Sequence, residues 1–158
     1  MLDTDLAWLG GIWDGEGSIA LFTHTEKSGS KKICPTVNVV NTDIAIINKV
    51  RKLLEELGCS FSLQEIRPKN KRHSTCWHLV TRNQKYIVLF LKAVKPYLFS
   101  IKAQKAEILL DYCERRLEKT ERLPSKGTTP YDEADWNSVI EFKDIRSSET
   151  TREALVQQ

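Results

Sequence analysis

Residues 9–17 read Leu9-Gly10-Gly11-Ile12-Trp13-Asp14-Gly15-Glu16-Gly17, an apolar, glycine-rich run ending in carboxylates set among glycines. Gly11 and Gly15 are four apart, so on a helix they share one face and leave it bare of side chains. Two copies of such a helix can approach backbone to backbone, as small-xxx-small pairs do. Glu16 stands where Gly17 is expected to stop the helix. Close packing of two copies would bring two acidic groups together, an arrangement suited to a divalent cation held by oxygen ligands.

That chemistry needs a scaffold, and the chain is long enough to supply one. Its 158 residues are expected to form one domain over 1–146, followed by a polar tail over 147–158. A hydrophobic content of 41% with 28% charged residues is ordinary for a soluble globular protein. The formal charge of +3 permits nucleic-acid binding without demanding it, so the distribution of charge decides. Cys34, Cys59, Cys76 and Cys113 are widely spaced, forming neither a zinc pattern nor a disulfide framework. Buried reduced thiols are the expectation, in an intracellular setting. The first residues lack the basic start of a signal peptide, and no apolar stretch has the length of a membrane span. A soluble, unexported protein is expected.

Along the chain, a first helix is expected over 5–15, with Asp3 or Thr4 as N-cap. Residues 18–26 alternate, placing Ala20, Phe22 and His24 on one face and Ile19, Leu21 and Thr23 on the other. A turn at 27–31 leads to a second strand, with Lys32, Cys34, Thr36 and Asn38 opposite Ile33, Val37 and Val39. Asn41-Thr42-Asp43 has N-cap chemistry, and an apolar stripe from Ile44 to Leu57 ends at Gly58. Two more strands are expected at 60–66 and 75–81. Helices follow over 84–94 and 101–121, with a last one from about Pro130 towards Ile145.

The run from Leu9 to Gly17, continued by Ser18-Ile19, resembles the signature of the LAGLIDADG homing endonucleases. Gly10 stands for the usual alanine, Trp13 for a smaller apolar residue, and Glu16 for the more familiar aspartate. Glutamate keeps the charge and the ligand atoms. The element order matches the αββαββα core of that family over roughly residues 5–120, so the expected fold class is α+β, with an antiparallel DNA-binding sheet and C-terminal helices. A single copy of the signature implies the homodimeric type, with Gly11 and Gly15 at the dimer interface.

The resemblance also implies roles. Glu16, with the carbonyl of Gly15, would bind the metal, Mg²⁺, for which Mn²⁺ or Ca²⁺ can substitute in binding. Lys102 matches the family's active-site lysine, because the stretch Pro96 to Ala106 carries a K-x-x-x-A pattern that selects it over Lys105. Its bland alternative is a surface lysine at a helix start, where the dipole disfavours a cation. The family places a polar residue at the end of the second strand. Counting back from Gly58 favours Thr42, and strand parity favours Asn41; we take Asn41, whose competing role is a helix N-cap. A basic residue that the family sometimes places one turn into the next helix has no match, since Ile44, Ala45 and Ile46 fill that region.

For DNA in the major groove, where base edges are distinguishable, strand parity offers Phe22, His24, Glu26, Lys32, Thr36 and Asn38 from the first hairpin. The second hairpin offers some of Ser62, Gln64, Arg67, Thr75 and Trp77. Its connection carries Arg67, Lys69, Lys71 and Arg72, suited to phosphates. A charged hairpin loop is by itself commonly only a solvated turn. The tryptophans otherwise read as packing residues.

The expectation is a homodimeric, magnesium-dependent endonuclease that cuts both strands of a long pseudo-palindromic DNA site and propagates an intron, in the cytoplasm or an organelle of the host. Its rivals are a binding protein on the same scaffold, such as an intron RNA maturase or a DNA-binding regulator, and a structural dimer without nucleic acid.

Overall fold

The computed structural model describes residues 1–68, 74–122 and 129–156. The elements are α1 (Asp3–Glu16), β1 (Gly17–Thr25), β2 (Lys31–Asn41), α2 (Ile44–Glu56), β3 (Ser62–Ile66), β4 (Cys76–Thr81), α3 (Gln84–Val94), a 3₁₀ turn at Lys95–Tyr97, α4 (Ser100–Arg122) and α5 (Glu133–Val156). The four strands form one antiparallel sheet in the order β1-β2-β4-β3. The fold is therefore α+β, in the element order that the sequence predicts.

One face of the sheet carries the core. Ile19 and Leu21 of β1, Val37 and Val39 of β2, and Leu79 of β4 pack with Leu9 and Trp13 of α1 and with the apolar stripes of α2, α3 and α4. Trp13 is completely buried and meets Phe90 at 4.4 Å and Phe61 edge-on at 6.2 Å between ring centroids. Such a cluster adds aromatic geometry to area burial. α2 ends as its glycine predicts: Gly58 has φ +75°, its N–H donates to the Glu55 carbonyl, and that of Cys59 to the Leu54 carbonyl.

Several boundaries differ from expectation, among them the start of α5, which lies at Glu133 rather than about Pro130 because Asp132 and Asp135 cap it reciprocally. α1 begins at Asp3, because Leu2 is extended and the Asp5 carboxylate accepts the Leu2 N–H at 3.2 Å. Gly17 is extended too, with φ −78°, so it is not a left-handed cap. What requires glycine there is space: a Cβ would lie 2.4 Å from the Trp13 ring. β3 starts at Ser62, since Phe61 is drawn into the core. α5 runs past Ile145 to Val156, through a segment holding neither glycine nor proline to stop it. Two of the free cysteines, Cys34 and Cys76, are only half-buried, whereas Cys59 and Cys113 lie inside.

α4 and α5 are joined by charge. Asp135, with no exposed surface, meets Arg115 at 3.4 Å, Arg116 at 3.2 Å and Lys119 at 3.3 Å. Several donors converge on one buried carboxylate, which such burial requires. Arg116 also stacks on the Tyr131 ring, and the Tyr131 hydroxyl accepts the Ile33 N–H at 3.2 Å. That bond braces β2 beyond the stretch paired with β4, which begins at Val37. Among the described residues, no helix is long and apolar enough to cross a membrane.

Candidate functional site

α1 delivers Glu16 to the point where the helix gives way to β1, and the carboxylate there is exposed. The Asn41 side chain, from the end of β2, donates its amide N–H to Glu16. Asn41 is itself oriented, because its side-chain oxygen accepts the Asp43 N–H at 2.7 Å. The N-cap of α2 is Asp43, whose carboxylate accepts the Ala45 N–H at 2.8 Å. Thr42 is exposed. The structure thus brings Asn41, rather than its neighbour, onto the acidic group.

Lys102 reaches the same helix end. Its ammonium donates to the Trp13 carbonyl at 2.6 Å and to the Asp14 carbonyl at 2.7 Å. These are among the last carbonyls of α1, at the negative end of its dipole, and that of Trp13 also accepts the Gly17 N–H. The last turn of α1 holds no basic residue of its own. The start of its own helix disfavours a cation, and the end of α1 compensates it. Burial draws its pKa below the ordinary lysine value, and the Asp14 carboxylate opposes that shift. Asp14 completes the exchange by accepting the Phe99 N–H at 2.8 Å.

Gly10, Gly11 and Gly15 divide the work of the signature. A Cβ on Gly10 would meet the Tyr97 carbonyl oxygen at 2.6 Å, so this position admits only glycine at the existing separation. At Gly11 and Gly15 nothing stands within 4 Å, and both are exposed. With Thr4 and Ala7, also exposed, they make a small-residue face on α1 that the single chain leaves uncovered.

The donors at the helix end suit a hard cation: the Glu16 carboxylate and the Gly15 carbonyl are both oxygen ligands. Asp14 is committed to Phe99. Among the described residues, no group of three His, Cys, Asp or Glu gathers to hold a metal. One chain thus offers the exposed Glu16 carboxylate and the Gly15 carbonyl here.

The sheet face away from the helices follows from the register, since residues paired across strands share a face. Its rows are His24 with Lys32, Phe22 with Cys34, Ala20 with Thr36, then Ser18, Asn38, Val80 and Ser62, then Val40, His78 and Gln64, and last Cys76 with Ile66. Phe22, His24, Lys32, Thr36, Asn38, Ser62 and Gln64 stand where parity put them. Thr36 is nevertheless only 5% exposed, with its hydroxyl unpartnered. Glu26 follows β1 and pairs with Lys32 at 2.7 Å.

Trp77 lies elsewhere. It pairs with Asn41 and Glu65 and packs against the core, on the helix-covered face. Thr75 precedes β4, outside the paired strand. Arg67 is exposed and held by Glu65 at 3.0 Å. Lys69, Lys71 and Arg72 fall outside the described residues.

A model of the LAGLIDADG-like domain matches residues 3–95. The chain belongs to this family. The LAGLIDADG signature is thus the α1 segment that carries Glu16. Solved structures share the fold at low identity. The homing endonuclease I-CvuI in complex with the I-CreI target is 17% identical with a TM-score of 0.58, over 90% of this chain and 95% of its own. The archaeal intron-encoded homing endonuclease I-Vdi141I, complexed with DNA, is 13% identical with a TM-score of 0.57, over 91% and 98%. The LAGLIDADG meganuclease I-AabMI, bound to uncleaved DNA, is 17% identical with a TM-score of 0.60; 87% of this chain covers 43% of it. No match is found among curated proteins.

Sequence reasoning missed the outward places of Val40, Ile66, His78 and Val80. In β4, Leu79 and Val80 are both apolar, so alternation alone cannot say which faces the core. It also missed the Asp14–Phe99 bond, which joins residues 85 apart in sequence.

Proposed function

We propose that this chain is a homodimeric, divalent-metal-dependent endonuclease that recognises a pseudo-palindromic DNA duplex and hydrolyses one phosphodiester in each strand. The observation that carries the reading is Glu16: an exposed carboxylate held by Asn41 at the end of a helix with a bare glycine face, the same helix end whose Trp13 carbonyl the Lys102 ammonium reaches. Family membership supports it. So do the DNA-bound neighbours, of which I-CvuI was solved with magnesium in one case and calcium in another.

Two α1 helices meeting through Gly11 and Gly15 would form a two-fold interface, each subunit placing its Glu16 near the axis. Glu16 and the Gly15 carbonyl would hold Mg²⁺. The bound ion would polarise the phosphate and lower the pKa of the attacking water. Asn41 fixes the Glu16 carboxylate and so its ligand geometry. Lys102 holds the end of α1 in place through two N–H groups. An ammonium has three donors, so one remains for a phosphate oxygen, where its charge stabilises the pentavalent transition state. The outward face of the sheet would read base edges in the major groove.

Glu16→Gln separates cutting from binding. The variant is expected to bind target DNA as the wild type does and to leave it uncut. A variant that cuts at the wild-type rate contradicts the assignment.

A further inference from the structure

The outward sheet face is unlike a generic polar surface. Phe22 is 41% exposed and Val40 37%, although each sits in a strand whose opposite face reaches the core, and Ile66 is 43% exposed on β3, the edge strand whose residues are all exposed. Val80 joins them on the same face, directly opposite Asn38 on one side and Ser62 on the other. In the next row His78 stands between Val40 and Gln64. Burial first, and the Arg82 charge second, draw the pKa of His78 below its ordinary value.

Asn38 thus stands directly across from Val80, at the roughly 4.5–5.5 Å between Cβ atoms of a cross-strand pair, and along their own strands Asn38 is followed outward by Val40 and Gln64 by Ile66. A side-chain amide pairs with adenine N7 and N6, and an apolar group meets the thymine methyl in the same groove. Arginine, which with lysine makes the commonest guanine contact, is absent from the outward strand positions among the described residues. The Lys32 ammonium is already paired with Glu26.

Resting on the DNA-binding reading above, we infer that Val40, Val80, Ile66 and Phe22 are specificity-determining residues that read thymine methyl groups, so that the target is A·T-rich where these residues of the four strands lie. Asn38 beside Val80 fits the two edges of one A·T pair. The same chemistry disfavours an RNA duplex, which lacks the methyl and whose deep, narrow major groove admits no side chains.

The test starts from the duplex recovered by binding selection, measured without magnesium. A second duplex replaces each thymine of the half-sites with deoxyuridine, removing only the methyl. Each contacted methyl should be worth about fourfold in affinity, on the transfer value of one buried methylene. Val40→Ala and Ile66→Ala, at exposed positions that leave the fold intact, should shrink that difference. Equal binding of the thymine and uracil duplexes would overturn the inference and leave DNA binding standing. Preference for an RNA duplex of the same sequence would overturn it as well. Failure to bind any duplex would overturn the DNA reading itself.

Discussion

The Asn41 amide donates to the Glu16 carboxylate, while the oxygen of the same side chain accepts the Asp43 N–H at 2.7 Å. The two bonds fix which way the amide points. They also tie the end of β2, the start of α2 and the end of α1 into one corner. A hydrogen bond to a charged group is worth about 1.5–3 kcal/mol, so a carboxylate released from it is poorly positioned for any ligand.

Asn41→Ala should therefore slow cleavage by about one to two orders of magnitude, the rate equivalent of that energy. Asn41→Asp should do something different. A second carboxylate against Glu16 raises the pKa of the pair, and the pH profile of cleavage should move to the alkaline side. Rates measured across pH for both variants check this, and an unmoved Asn41→Asp profile contradicts it.

The glycines of α1 should separate by location. Gly11→Leu adds a side chain where nothing in the single chain stands within 4 Å. Its thermal stability as a monomer should stay near that of the wild type, while sedimentation shows loss of the dimer. Gly10→Ala should act oppositely, because its Cβ would fall 2.6 Å from the Tyr97 carbonyl oxygen. Overpacking of that kind costs about 1–3 kcal/mol, and a Tm lowered by several degrees should report it.

Much of this was legible in the chain. The stripe of α2 and its Gly58, the hairpin over β1 and β2, and the element order all depend on local periodicity and turn chemistry, which sequence carries directly. Strand parity also set Val37, Val39 and Asn41 on one face, where the structure has them. What escaped was non-local. Lys102 looked misplaced at the start of α4, because the compensating carbonyls belong to α1. The outward set in β4 depended on the register of a strand with adjacent apolar residues, and pairing partners are not written in either strand alone.

Lys102→Met removes the two bonds that close α1. Denaturant unfolding should show a loss of about 1.5–3 kcal/mol, the range for bonds made by a charged donor. Wild-type stability in this variant would show that the two carbonyls do not depend on the ammonium.

Asp132 makes stability depend on acid. The Lys119 ammonium first, and the Asp135 N–H second, hold its carboxyl down at about 2 against an ordinary 3.8. A depressed carboxylate contributes stability above its unfolded pKa and loses it as pH falls through the folded one. Wild type should thus melt above Asp132→Asn at pH 5, and the two curves should converge as pH falls from about 4 towards 2. A gap that persists unchanged at pH 2 contradicts this.

The central claim is most directly tested by a cleavage selection from a randomised duplex library, run with Mg²⁺ and with chelator. A recovered near-palindromic site, cut in both strands only when metal is present, is the predicted result. Enrichment of a bound sequence that remains uncut under both conditions would contradict the nuclease and leave a binding protein on the LAGLIDADG scaffold.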